Sequence, residues 1–171
     1  VNSNHTPFLS TAPNENPKPE NYPASFGVDT NLTNRGLRAQ ELFGGDTSIT
    51  REEFIAYKMD HRYAKDSNVM KMVADLKQVD AEGDKDLKAA LDIVTKWDGS
   101  ADMKSRGAAL AIFTGQATMG GQMHDAYDRE KALANLRITA EQLKTATGRI
   151  DPEWGEVSRV ARGDQSWPTD G

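Results

Sequence analysis

The sequence predicts a mainly α fold: an irregular array of five to six helices behind an extended, Pro-rich N-terminal segment. Three observations carry this. Five of the seven prolines fall by position 23; apolar residues recur at helical offsets from residue 69 onward; and the period-2 alternation of a half-buried strand is almost absent. The chain divides accordingly into residues 1–31, extended and Pro/Asn-rich, residues 32–148, helical, and residues 149–171, an irregular tail, all within one helical region.

In residues 1–31 each proline fixes its own φ, lacks an N–H and biases the residue before it toward an extended conformation, so this stretch is expected to run extended over a neighbouring surface. Phe8, Leu9, Tyr22 and Phe26 are its expected anchors. Thr33 or Asn34 can cap a helix that carries Leu37, Leu42 and Phe43, and Gly44-Gly45 stops it. Thr50-Arg51-Glu52-Glu53 has the capping-box pattern and predicts a helix over about 51–64. Val69, Met72, Val73, Leu76 and Val79 stand at offsets 0, 3, 4, 7 and 10, one stripe of a 3.6-residue helix, and Leu87, Ala90, Leu91, Val94 and Trp97 repeat it. Residues 107–113, GAALAIF, are apolar on every side, which suits a central helix. Leu133, Leu136, Ala140 and Leu143 mark another helix over about 126–147, ended by Gly148. Trp154, Trp167, Pro168 and several glycines give the tail aromatic packing points.

A chain of 171 residues is long enough for one sizeable core. Its net charge of −5 offers no electrostatic attraction to phosphates, so neither a nucleic acid nor a membrane is expected as partner. No apolar run approaches the ~20 residues that cross a bilayer. The absence of cysteine excludes disulfides, thiolate metal sites and cysteine nucleophiles.

The search for chemistry finds no assembled active site. His5, His61 and His124 have neither a second His nor a Cys at ligand spacing, so no metal or other cofactor is expected. Asp60-His61 could serve as an acid–base pair, but adjacent helical residues point about 100° apart, and surface or packing roles suit them better. Residues 80–86 resemble a calcium loop, yet Gly83 stands at the fourth position and Leu91 at the twelfth, where glycine at the sixth and a bidentate Glu are required. A solvated turn is the better reading, and residues 98–102 fail likewise. The stretch GQATMGG at 115–121 lacks the Lys-Ser or Lys-Thr of a phosphate loop. Sequons at Asn4 and Asn31 matter only in a glycosylating pathway. Arg162-Gly163-Asp164 spells an adhesion tripeptide, functional only on an exposed loop. On the residues alone the chain is a helical module without catalysis, a free-standing binding module being one possible role.

The opening adds to this. Asn2-Ser3-Asn4-His5-Thr6-Pro7-Phe8-Leu9 with the Pro/Asn-rich stretch behind it resembles a signature of the penicillin acylase family, which includes penicillin amidases, cephalosporin acylases and acyl-homoserine lactone acylases. Asn34-Arg35 with Leu42 before a glycine break, Asp60 late in the next helix, Trp97-Asp98-Gly99, Ser105 ahead of an apolar helix, Trp154-Gly155, Arg162-Gly163, Pro168 and Gly171 follow in the family's order. The resemblance implies an N-terminal nucleophile hydrolase, periplasmic or extracellular, that cuts its own precursor to free a serine at the start of a β chain. It implies that this chain is a helical piece of that β chain, starting at Val1 downstream of the nucleophile and the oxyanion asparagine. Its partners would then be the α chain, the rest of the β chain and, for the parent, a small acyl amide. No residue here takes a catalytic role under that reading; Asn2 and Asn4 are the candidates for supporting the active-site floor.

Overall fold

The computed structural model describes residues 6–11, 14–121, 123 and 126–171. Its contacts separate two compact units, Val1–Asp60 and His61–Gly171. The expected mainly α fold is what the chain adopts, with seven α-helices and one two-stranded sheet among the described residues.

In the first unit the Pro-rich lead is not extended throughout. Three 3-10 turns, Pro7–Leu9, Pro19–Asn21 and Ala24–Phe26, interrupt it. The first two begin at a proline, whose fixed φ suits the start of a helical turn and whose missing N–H is not needed there. Phe8 and Leu9 are half-buried as anchors should be, whereas Tyr22 and Phe26 stay 44% and 64% exposed, in a row of tilted rings with Phe8. Helix α1, Asn34–Phe43, is capped by Thr33, whose hydroxyl accepts the Gly36 N–H. It stops at Gly44 without a left-handed turn, since Gly44 has φ −74°; a Cβ there would lie 2.5 Å from the Gln40 carbonyl oxygen. Helix α2, Arg51–Lys58, has the expected reciprocal box between Thr50 and Glu53 but ends before residue 64. Among the described residues of this unit only Thr6 and Gly36 are buried.

The second unit holds the core. Helix α3, Asn68–Leu76, is capped by Ser67 and buries Val69, Met72, Val73 and Leu76. Helix α4, Lys85–Val94, buries Leu87, Ala90, Leu91 and Val94. Both stripes match the spacing. Helix α5, Ala108–Met119, runs further than the GAALAIF stretch and buries nine residues around its circumference, which is why no single polar face can be drawn on it. Helix α6, Arg129–Thr147, starts at its Asp128 cap and ends at Gly148, φ 81°. It lies along α5, burying Ala132, Leu136, Thr139, Ala140 and Leu143.

The tail is more regular than expected. A short helix α7, Trp154–Val157, leads into strand β1, Arg159–Arg162, which pairs antiparallel with β2, Gln165–Pro168. Gly163, φ +58°, takes the first place of the two-residue loop, where a type II′ hairpin turn calls for glycine.

Candidate functional site

Of the residues that match the family order in the second unit, Trp97-Asp98-Gly99, Ser105, Trp154-Gly155, Pro168 and Gly171 converge on one junction between the loop after α4, the start of α5 and the tail, while Arg162-Gly163 lies away from it at the hairpin tip. Trp97 is 5% exposed, and its indole N–H donates to the Ser100 carbonyl at 2.7 Å. Gly107 lies so close to it that a Cβ would stand 2.7 Å from the Trp97 Cβ. Asp98 begins the turn: its Oδ1 accepts the Ser100 N–H at 3.0 Å and its Oδ2 lies 2.8 Å from the Arg62 guanidinium. Burial acts to raise the Asp98 pKa, but the Ser100 amide and the Arg62 charge and hydrogen bond together hold it below the ordinary carboxylate value. Gly99, φ 82°, completes a turn that L side chains rarely make.

The tail is tied to this loop by backbone. Trp154 N–H donates to Ser105 O at 2.9 Å and Gly155 N–H to Met103 O at 2.8 Å. Gly171 N–H donates to Ala101 O at 2.9 Å, and Ala101 N–H to His61 O at 2.9 Å. A Cβ on Gly155 would meet the Pro168 Cβ at 3.0 Å, and one on Gly171 would meet the Ala101 Cβ at 2.5 Å. The glycines, Pro168, Trp154 and Ser105 are thus brought together, as parts of a close-packed backbone crossing. Tyr63 stacks edge-on to Trp97, and burial pushes its hydroxyl up to about 12.

Other sequence-singled residues go elsewhere. Asp60 lies beyond α2 rather than within it, and takes a two-pronged grip from Arg38: Nε to Oδ1 at 2.8 Å and Nη2 to Oδ2 at 2.9 Å. This and Glu41 raise the Arg38 pKa above its already high value, so the guanidinium stays charged at neutral pH. His61 does not share that site; its Nε2 faces Asp170 Oδ2 at 3.5 Å, while Asp170 Oδ1 accepts the Met103 N–H. In the 80–86 turn, Asp80 accepts the Glu82 N–H and Asp84 caps α4. No group of three or more His, Cys, Asp or Glu among the described residues is placed to hold a metal ion, and no helix among them is long and apolar enough to cross a membrane. Gly115 is inside α5, where a Cβ would lie 2.9 Å from the Met123 sulfur. Arg162-Gly163-Asp164 sits at the exposed hairpin tip, where the turn itself accounts for the glycine. Asn2, Asn4, His5 and His124 lie outside the described residues.

Two features escaped the sequence. Arg159 clamps the hairpin, donating from Nε to Ser166 Oγ, from Nη2 to Ser166 O and from Nη1 to Gly155 O. Asp170 fastens the tail. A Gly-Asp pair between two four-residue runs was the available signal for the first; nothing local marks the second. An open cleft of about 570 Å³ beside the junction is lined by Lys96, Trp97, Asp98, Ser105, Arg106 and Asp151 among others.

What fold and site define is a helical unit whose motif residues hold backbone crossings together. The chain belongs to the penicillin amidase family: the family model described as Penicillin amidase matches residues 2–170.

Proposed function

We propose that the chain is the helical portion of the β chain of a penicillin-amidase-type amidohydrolase, and that its own work is structural. The parent hydrolyses a linear amide to a carboxylic acid and an amine, in the periplasm or outside the cell. A serine at the N-terminus of the β chain, outside these residues, attacks the amide carbonyl with its own α-amino group as base; the amine leaves, and water releases the acid from the acyl-serine. The α chain and the rest of the β chain are its partners. The observation that carries the reading is the family match across residues 2–170. The junction supports it, because its motif residues are engaged in packing and backbone turns. Asn2 and Asn4 are assigned to the floor of the parent's active site.

Acyl transfer needs an activated nucleophile and donors aimed at the developing oxyanion, and loss of one such donor costs about 100- to 1000-fold in rate. The isolated chain is therefore expected to show no turnover on a chromogenic acyl amide that the parent hydrolyses, and Asn4→Ala in the parent to lower kcat. Saturable turnover by the isolated chain, surviving repurification, would overturn the structural role. A parent that neither processes itself nor cleaves any acyl amide would overturn the acylase reading.

A further inference from the structure

The chain contains one Asp-Pro step, Asp151-Pro152, and the fold sets a cation on it. Arg106, from the loop before α5, donates from Nη1 to the Asp151 carbonyl oxygen at 3.4 Å and to Asp151 Oδ2 at 3.5 Å. Carbonyl and carboxylate of the same residue therefore face one nitrogen of a group that stays charged. Its Nη2 lies 3.5 Å from Glu153 Oε1, which holds the guanidinium across residues 151–153. These contacts are long, as those of a donor that tightens only when charge develops often are. Asp151 also lines the open cleft beside the junction, where water reaches it, whereas the Pro152 ring is fully buried.

We propose that Asp151-Pro152 is a self-cleaving bond, with the Asp151 carboxyl as nucleophile and Arg106 as the group that stabilises the oxyanion. A carboxyl oxygen bonds to the Asp151 carbonyl carbon, closing a five-membered ring, and the carbonyl electrons move onto the oxygen that faces Arg106. The C=O re-forms as the bond to the Pro152 nitrogen breaks, and the proton of the carboxyl passes to that nitrogen. Proline suits the step, since its nitrogen leaves as a basic secondary amine. The cyclic anhydride left on Asp151 takes up one water from the cleft and opens to two carboxyls, so no other reagent is consumed. Nucleophile and carbonyl belong to one residue, and the covalent chain supplies their proximity; what the fold adds is the donor. The cut is a single event per chain, distinct from turnover of an added amide, and stands apart from the acylase reading. It does not release the tail, because Trp154 N–H on Ser105 O, Gly155 N–H on Met103 O and Gly171 N–H on Ala101 O all hold the far side of the break.

Incubation of the folded 171-residue chain at about pH 4, inside the range where aspartyl carboxyls titrate, followed by denaturing mass spectrometry tests this. Pieces 1–151 and 152–171 should accumulate on the order of 10-fold faster than from the same chain in concentrated urea at that pH. This is a fraction of the roughly 100- to 1000-fold that a buried oxyanion donor supplies, because the Arg106 side chain is 52% exposed. Arg106→Gln should bring the folded rate down to the urea rate, and Asp151→Ala should abolish the cut in both. Should Arg106→Gln fail to fold, the wild-type comparison decides alone: a folded rate equal to or below that in urea overturns the proposal, the bond then being no more than acid-labile. An unchanged rate in folded Arg106→Gln overturns Arg106 as the stabiliser. A cut that persists in Asp151→Ala assigns the cleavage to a contaminating protease and overturns the self-cleavage.

Discussion

Gly107 shows how much one missing Cβ can hold in place. Its φ of −88° is open to any residue, so only the 2.7 Å approach to Trp97 demands glycine. Gly107→Ala should therefore destabilise through overpacking alone, by about 1–3 kcal/mol, measurable as a lower midpoint in urea. Trp97→Ala attacks the same contact from the other side and should cost about 3–5 kcal/mol; Phe113, expected in the core beside it, is half-buried against Trp154 and should cost less. Asp84 tests electrostatics. It accepts the Leu87 N–H as the cap of α4 and pairs with Arg137 of α6, and these two contacts, the backbone one first, hold its pKa below the ordinary carboxylate value. A carboxylate depressed in the folded state contributes stability above its unfolded pKa of about 3.9 and loses it as pH falls through the lower folded value. Asp84→Asn should lower the melting temperature near pH 7, with the gap to wild type narrowing below pH ~4; a gap that stays constant to pH 2 would contradict the pairing. At this scale the sequence displayed Asp84 only as part of a failed calcium loop. Its cap followed from the helix start, but Arg137 is distant in sequence, and no local pattern joins them.

At the scale of elements, the stripes of α3 and α4 were legible almost residue by residue, because a one-sided burial pattern writes itself as a period of 3.6. Helix α6 was legible as an element, and Leu136 as its centre; Leu136 is fully buried against α5, so Leu136→Ala should cost about 2–5 kcal/mol in chemical denaturation. Three features were not legible, each for a physical reason. The end of α2 at Lys58 comes before residues 61–63 run beside 99–101, with Tyr63 N–H on Gly99 O at 2.8 Å, a long-range claim on the backbone. The prolines of the lead exclude a long helix but permit single 3-10 turns, so composition alone could not separate turn from extended chain. The hairpin was missed because its strands are four residues long and exposed on both faces, which leaves no alternation to read.

At the scale of the whole molecule the two units differ in what they bury. The second carries the apolar core; the first leaves Phe26, Met59, Phe54 and Ile55 at 64%, 60%, 51% and 48% exposure. Slow amide exchange should therefore be confined to α3, α4, α5 and α6, with residues 14–31 exchanging close to the rate of unstructured chain; protection through that lead comparable to α5 would contradict the burial pattern. The family was legible from the order of short motifs, because close backbone crossings tolerate few residues at Gly155 and Gly171. Helix α5 carries a consequence for synthesis. It is apolar all round, and α6, the helix it packs along, is not complete until Thr147 has been added. At ~5–20 residues per second the ribosome needs roughly 1–6 s to travel from Met119 to Thr147, and throughout that interval the nascent chain holds a charge-free apolar run without its main cover. Yield in a heterologous host should therefore depend on chaperone supply and on slow, cool expression more than on the final stability of the fold.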